Sequence, residues 1–396
     1  MTLLEVITKA TNDQQTQIPQ SEYPIILNSD SILCNLKELE NEVSEEISII
    51  KRVEGWKISE IDSEIIKIGN DFVKKLKRKL KNPSSFGKDE FFKVLNSFLE
   101  KNREKFGGFE KIDSEGLSYT RVMMKKLRYL ITPSIGGLIL ESCLVLEIWD
   151  LVETLIVEGF VGRFNSGNLI EVLVKKRRSY LICLCIKHFS DIESSDLQSL
   201  LKYFLSPPKG ANSTMMNVRK KWEKQALSAI KKATDETLSG ENLHLAKNAS
   251  ILLMVAYDEF SSAELCMHYL FASSQLDELN FPYSLSGLDG LEMLKLIRYF
   301  GKWLKKYLKF PQAGPCPNAS SALGLKMCDL VPSVESIVKY LGLVIDEQFT
   351  SLVLYSDFHD ELRSLEEDVK SLAEEARSCC SLVDIVESLK EEIERH

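Results

Sequence analysis

The chain has 396 residues, of which 44% are hydrophobic and 27% are charged, so it can bury a sizeable core distributed over two or three domains. Its nine cysteines are an odd number in a chain far longer than a disulfide-stapled scaffold, which predicts reduced thiols. The formal net charge of −8 is concentrated at one end, because residues 360–396 contain twelve acidic and five basic side chains, a balance of −7.

The N-terminal segment, residues 1–30, is polar with scattered apolar positions and predicts an irregular lead-in. It begins with one lysine and a short apolar run, so we expect no secretory signal and an intracellular protein. The most apolar stretch, residues 135–161, is interrupted by five acidic side chains. We therefore expect no membrane-spanning helix and no membrane partner.

A helical region is predicted for residues 31–115. Between Ile32 and Ile50, apolar side chains recur every three or four residues, as they do on one face of a helix. The same spacing predicts helices over residues 59–81 and 88–103.

Residues 120–355 predict a second, larger helical region, in which short loops join successive helices as antiparallel hairpins. Asn168 is a candidate N-cap, and no group of neighbouring segments alternates with the period of two that a sheet requires. The predicted fold class is therefore all-α, an irregular helical bundle or an α-solenoid of hairpins, although no repeat of fixed length is legible. The predicted helices cover residues 135–158, 168–189, 194–205, 212–237, 241–273, 288–308 and 334–354.

The last segment, residues 356–396, predicts an acidic helix with a heptad-like apolar stripe. Such a helix can pack against its own bundle or form a coiled coil with a partner, and the spacing leaves both alternatives open. The candidate partner-binding stripe consists of Leu362, Leu365, Val369, Leu372, Val383 and Val386.

Motifs for catalysis, metal binding and cofactor binding are missing from the sequence, so we predict no catalytic, metal-binding or cofactor-binding residues. There is no Gly-x-Ser-x-Gly, no His-Glu-x-x-His, no phosphate-binding glycine loop and no Cys-x-x-Cys. Cys183 and Cys185 stand two apart on a predicted helix and point in different directions, so they cannot bind one ion together. His188 and His268 lie in apolar segments and are expected as core or boundary residues.

Two basic clusters are the main chemical feature of the sequence. Either can serve as a nuclear-import signal or contact phosphates, and the alternative for each is a solvated helix face. The candidate residues are Lys74, Lys75, Lys77, Arg78, Lys79, Lys81, Lys175, Lys176, Arg177 and Arg178.

Two segments resemble the helical C-terminal region of the nucleolar protein 11 family. In residues 151–193, short apolar blocks lead to a basic joint, a leucine- and cysteine-rich helix and an acidic-isoleucine turn. In residues 332–354, an apolar run leads to Asp346, then to Phe349 and Thr350, then to further apolar residues. An aromatic-rich stretch, residues 291–307, fits the helix that the family has between them.

The resemblance implies a non-enzymatic scaffold of ribosome biogenesis that acts in the nucleolus, within the small-subunit processome. It implies protein partners from that assembly and leaves open a contact with RNA that is indirect or limited to the backbone. Two features depart from the family, namely the absence of its N-terminal β-propeller and Lys339-Tyr340 in place of an acidic-tryptophan pair. The alternative is a helical-repeat adaptor of the nucleus or cytoplasm, unrelated to ribosome assembly.

Overall fold

The structure is a computed structural model that describes residues 60–82, 86–106, 116–235, 237–274 and 276–395. The predicted lead-in and the helix predicted between Ile32 and Ile50 lie outside the described residues. Within them, all regular secondary structure is helical, which confirms the all-α class. None of the described helices combines the length and the apolar character needed to cross a bilayer.

The first described helices form a hairpin. Helices α1 (Glu60–Leu80) and α2 (Lys88–Phe106) lie where helices were predicted. They pack against each other, with Phe72 and Phe98 stacked at 4.4 Å between ring centres. The amphipathic pattern of α1 turns its apolar side towards this contact and leaves its cations outside. A short helix, α3 (Leu117–Lys126), then packs on α2.

The next five helices form a double layer of short hairpins. In one layer, α3 contacts α5 and α5 contacts α7. In the other layer, α6 contacts α8, and α6 also packs across the layers on α7. This stacking of neighbours is the arrangement of an α-solenoid. The helices are α4 (Pro133–Val145), α5 (Trp149–Val157), α6 (Arg163–Lys175), α7 (Ser179–His188) and α8 (Ser194–Leu205).

Two of the predicted helices, 135–158 and 168–189, are each broken into a hairpin. Glu147 and Arg177 adopt left-handed backbone angles, with φ of +52° and +56°, and each ends the helix before it. The amide after each one donates a hydrogen bond five residues back, from Ile148 to the Cys143 carbonyl and from Arg178 to the Leu173 carbonyl. The prediction of Asn168 as an N-cap is also wrong, because Asn168 lies inside α6.

These two hairpins repeat each other at an offset of thirty positions, from Glu147 to Arg177. Helix α4 corresponds to α6, and α5 corresponds to α7. Apolar residues thirty positions apart in these helices are buried in both copies. The pairs are Ile139 with Leu169, Leu140 with Ile170, Cys143 with Leu173, Leu151 with Leu181, and Ile156 with Ile186. A repeat of fixed length, which was not legible in the sequence, is therefore present over this part of the chain.

Five of the eight described C-terminal helices are longer than any of α4–α8, and one of them, α13, contacts α8, α15 and α16. The predicted helix 241–273 is again two helices, because Glu259 has a φ of +61° and ends the first of them. The helices are α9 (Ala211–Ala233), α10 (Gly240–Tyr257), α11 (Ser262–Phe271), α12 (Asn280–Leu285), α13 (Gly290–Lys309), α14 (Ala319–Leu323), α15 (Val334–Leu354) and α16 (His359–Arg395).

An aromatic core joins α9, α11 and α13. Trp222, Phe260, Tyr299 and Trp303 are buried with His268 among them, at ring-centre distances between 4.7 and 5.9 Å. Aromatic rings bury large areas, so this cluster contributes strongly to fixing α13 against the preceding hairpins. Helix α13 in turn carries both α15 and α16.

Candidate functional site

The basic cluster predicted in α1 is a surface feature. Most of its cations are exposed, whereas Phe72 and Leu76 of the same helix are buried against α2. Lys79 is half-buried and pairs with Glu90 at 2.5 Å. Five cations are exposed, namely Lys74, Lys75, Lys77, Arg78 and Lys81.

An open groove runs between α1 and α2 beside these cations, with a volume of about 280 Å³. Its apolar side chains come from Ile68, Phe72, Val94 and Phe98. Three exposed cations, Lys75, Lys93 and Lys101, line it together with the carboxylates of Asp71 and Glu90, and Glu90 is paired with Lys79. The groove therefore combines an apolar floor with a border that has an excess of positive charge. We call this feature the α1–α2 groove.

The second basic cluster lies in the turn between α6 and α7 rather than on a helix face. Lys175 and Lys176 form ion pairs of 2.6 Å with Glu171 and Glu147. Arg177 is the left-handed residue of the turn and is exposed. Arg178 is half-buried, with its guanidinium carbon 4.7 Å from the centre of the Trp149 ring. Part of this cluster therefore holds the hairpins together.

The first half of α16 packs against its own chain. Leu365 is 4% exposed and lies over Gly301 of α13, where an added Cβ would be 3.2 Å from its Cδ2. Acidic residues of α16 face cations of α13, with Glu361 at 2.9 Å from Arg298. Leu362 and Leu372 also pack against the core. We call residues 359–372 the docked half of α16.

The rest of α16, residues 373–395, is the free half. Two side chains of this half that continue the heptad-like stripe are exposed: Val383 is 53% exposed and Val386 49%. Leu382 beside them is 61% exposed, and Cys379 is exposed as well. Val369 is already 42% exposed. The structure thus divides the predicted stripe between a contact within the chain and an unoccupied helix face.

His268 is a core residue, as expected. Its Nδ1 lies 2.9 Å from the Tyr299 hydroxyl and its Nε2 lies 3.0 Å from the Ala256 carbonyl. Both ring nitrogens therefore have partners, and burial lowers the pKa of His268 to about 3. The side chain is neutral at physiological pH and has no solvent-facing atom with which to act as a base.

The connector between α10 and α11 is held by one cation of α13 and one of α9. Lys306 is buried, with its Nζ 3.6 Å from Asp258 and 3.3 Å from Glu259. Arg219 donates a hydrogen bond of 2.7 Å to the Phe260 carbonyl. The apolar stripe of each helix gave no signal for this role, because the partners lie on other elements.

The cysteines of the folded core are buried thiols. Burial raises the pKa of Cys143, Cys183 and Cys185, which keeps them protonated, whereas Cys379 and Cys380 are exposed on α16. Among the residues that the structure describes, no three His, Cys, Asp or Glu side chains are grouped as metal ligands would be.

Comparison with known proteins gives no relative: no family model, no curated protein and no solved structure matches this chain. The resemblance to the nucleolar protein 11 family remains a prediction from the sequence. The functional argument therefore depends on the two surfaces defined above, the α1–α2 groove and the free half of α16.

Proposed function

We propose that this chain is a non-enzymatic helical scaffold that binds other proteins through the free half of α16. The observation that carries the proposal is the exposed stripe on this half, with Leu382, Val383 and Val386 each about half open to solvent. An amphipathic helix that presents such a stripe is the form in which helix-in-groove and coiled-coil partners are recognised.

The proposed place of action is the nucleolus, where the chain would support pre-ribosomal RNA transcription and processing within the small-subunit processome. The support is the family resemblance of residues 151–193 and 332–354. Its distinctive residues Asp346, Phe349 and Thr350 are exposed on α15, where a partner protein can reach them. The exposed cations of α1 suit an import signal, and any RNA contact would be indirect or limited to backbone phosphates.

Imaging of a tagged chain in growing cells tests this location. We expect nucleolar signal, and we expect it to be lost when Lys74, Lys75, Lys77 and Arg78 are changed to glutamine. The matched control changes four exposed lysines outside both basic clusters, Lys209, Lys220, Lys224 and Lys231, and should stay nucleolar. Diffuse cytoplasmic signal from the unaltered chain would refute the nucleolar assignment.

Affinity purification followed by mass spectrometry tests the scaffold role. The unaltered chain should recover processome components at moderate salt, and the Leu382→Ser, Val386→Ser variant should lose them. Since these side chains are exposed, the variant should stay folded, and circular dichroism provides the check. If the variant recovers the same components as the unaltered chain, the free half of α16 is not the binding element.

A second candidate function is a helical-repeat adaptor of the nucleus or cytoplasm outside ribosome assembly. The repeated hairpins α4–α5 and α6–α7 favour it, because stacked helical pairs build extended protein-binding surfaces. Recovery of a consistent set of partners without processome components would select this alternative.

A further inference from the structure

The free half of α16 and the α1–α2 groove have opposite character, and among the residues that the structure describes no other segment covers either of them. The free half presents Leu382, Val383 and Val386 beside the exposed carboxylates of Glu374, Glu375 and Glu387. The groove presents an apolar floor beside exposed lysines. Within a single chain the stripe is exposed and the groove is open, so they do not cover each other.

The docked half of α16 shows what kind of surface this helix packs against. It lies on α13, a helix that is basic along one side and apolar along the other. Leu365 fits over Gly301, and the carboxylates of Glu361 and Asp368 lie 2.9 and 3.9 Å from Arg298 and Lys305. The contact thus combines an apolar seam with acidic-to-basic pairs at its border.

The α1–α2 groove offers the same combination. Ile68, Phe72, Val94 and Phe98 form its seam. Its border holds three lysines against two carboxylates, Asp71 and Glu90, and Lys79 already pairs with Glu90, so positive charge is in excess. A third helix laid between two packed helices buries its stripe against both, as in a bundle. The free half of α16 is acidic, so a border with excess positive charge attracts it, whereas an acidic surface would repel it.

We propose that the free half of α16 docks in the α1–α2 groove of a second copy of the same chain. The inference rests on the proposal that this half is a protein-binding helix, and it names the partner. Because the two surfaces differ, the contact is heterologous, and each copy can give its helix to one neighbour and receive a helix from another. The expected assembly is a closed ring or a head-to-tail chain of copies.

Charge reversal in the full-length chain tests this contact, with association measured by sedimentation equilibrium. Changing Lys75, Lys93 and Lys101 to glutamate should raise the dissociation constant by about tenfold or more. Changing Glu374, Glu375 and Glu387 to lysine should do the same. A chain that carries both sets should associate again, because opposite charges face each other once more. The control changes the exposed Lys220, Lys224 and Lys231 of α9 to glutamate and should associate like the unaltered chain.

Carbodiimide cross-linking of an equal mixture of unlabelled and nitrogen-15-labelled chains identifies the residues in contact. Mixed-isotope peptides that join the lysines of the groove to the glutamates of the free half are the expected products. A monomer at every concentration, cross-links confined to one chain, or association that survives both charge reversals would overturn the inference. So would binding of a mixed RNA at the groove without self-association.

The experiments distinguish a failure of self-association from a failure of the proposed scaffold function. If purified chain is monomeric but Leu382→Ser, Val386→Ser still abolishes recovery of other proteins, the free half binds a different partner. The inference then fails while the scaffold proposal stands. If self-association is confirmed and no other protein is recovered, the scaffold proposal fails instead.

Discussion

The buried imidazole of His268 is satisfied by partners that are distant in the sequence. His268 bridges α11 to the Tyr299 hydroxyl of α13 and to the Ala256 carbonyl of α10. Burying a charged imidazole here would remove its hydration without a carboxylate to replace it, which is why burial lowers its pKa. A single side chain thereby links the stability of the aromatic core to pH.

Acidification should destabilise the fold through His268. Its pKa is about 3 in the folded chain, against a reference value of 6.5, so between these values only the unfolded chain binds the proton. The stabilisation is complete above pH 6.5 and is lost as the pH falls towards 3, by about 2 kcal/mol between pH 7 and pH 5.

Urea unfolding at both pH values, on the unaltered chain and on His268→Gln, provides the measurement. The variant should lose less stability on acidification, because glutamine does not titrate. The exposed His244→Gln serves as a control and should follow the unaltered chain. Equal losses in all three proteins would contradict the assignment.

Two glycines illustrate opposite demands at single positions. A Cβ at Gly136 would lie 2.6 Å from the backbone carbonyl oxygen of Phe160, whereas one at Gly342 would meet nothing within 4 Å. Gly136→Ala should therefore destabilise the fold by about 1–3 kcal/mol through overpacking. Gly342→Ala should stabilise α15 by about 0.5–1 kcal/mol, because alanine is the better helix former. Chemical denaturation of both variants checks the pair, and a common sign would contradict it.

At the scale of elements, the turns that divide the hairpins depend on left-handed residues that are not glycine. Glu147, Arg177 and Glu259 all have a φ between +52° and +61°. An L-residue pays for this conformation through the approach of its Cβ to the backbone carbonyl. The strain persists because the apolar residues on both sides of each turn are buried in successive hairpins.

Relief of this strain at one turn should stabilise the protein. Glu147→Gly removes the Cβ from a left-handed position and should raise the free energy of unfolding by about 1 kcal/mol. The ion pair of Glu147 with Lys176 is also lost, but it is exposed and its contribution is small. Glu147→Gln, which removes the charge and keeps the Cβ, is the control and should be near neutral. If glycine destabilises more than glutamine, the turn is not the source of strain.

At the scale of the whole molecule, α16 belongs partly to the fold and partly to the surface. Its 37 residues form one helix, yet α13 accepts only the first half. Arg298 pairs with Glu361 and Lys305 with Asp368, so the two helices run in step, and α13 ends at Lys309, only four residues beyond Lys305. The continued stripe therefore remains available to a partner.

Matched substitutions on α16 should separate the two halves. Leu365→Ser should cost about 2–4 kcal/mol, because it removes a buried side chain and places a hydroxyl against α13. Leu382→Ser should change the free energy of unfolding by less than about 0.5 kcal/mol, because the side chain is exposed. Thermal unfolding of the isolated full-length variants compares them. A large loss from Leu382→Ser at low protein concentration would mean that the free half packs within its own chain.

The sequence by itself determined the all-α class and most of the long helices. Helix α15 begins and ends where its pattern predicts, and α1, α2 and α13 agree within a few residues. These helices have apolar stripes of period 3.6 and clear terminators, such as the Asp289 cap of α13 with its reciprocal Glu292 bond. The local sequence pattern was enough to predict these helices, because the apolar spacing and the capping residues lie within each helix.

Only the tertiary structure decided where the apolar helices break and which half of α16 is occupied. Glu147, Arg177 and Glu259 carry no glycine or proline signal, since their left-handed conformation is imposed by the packing of the hairpins around them. The apolar spacing of the heptad-like stripe is likewise similar in both halves of α16, so it does not show which half is docked. Its docked half is defined by Gly301 and the cations of a helix some sixty residues earlier, a contact that no local periodicity records.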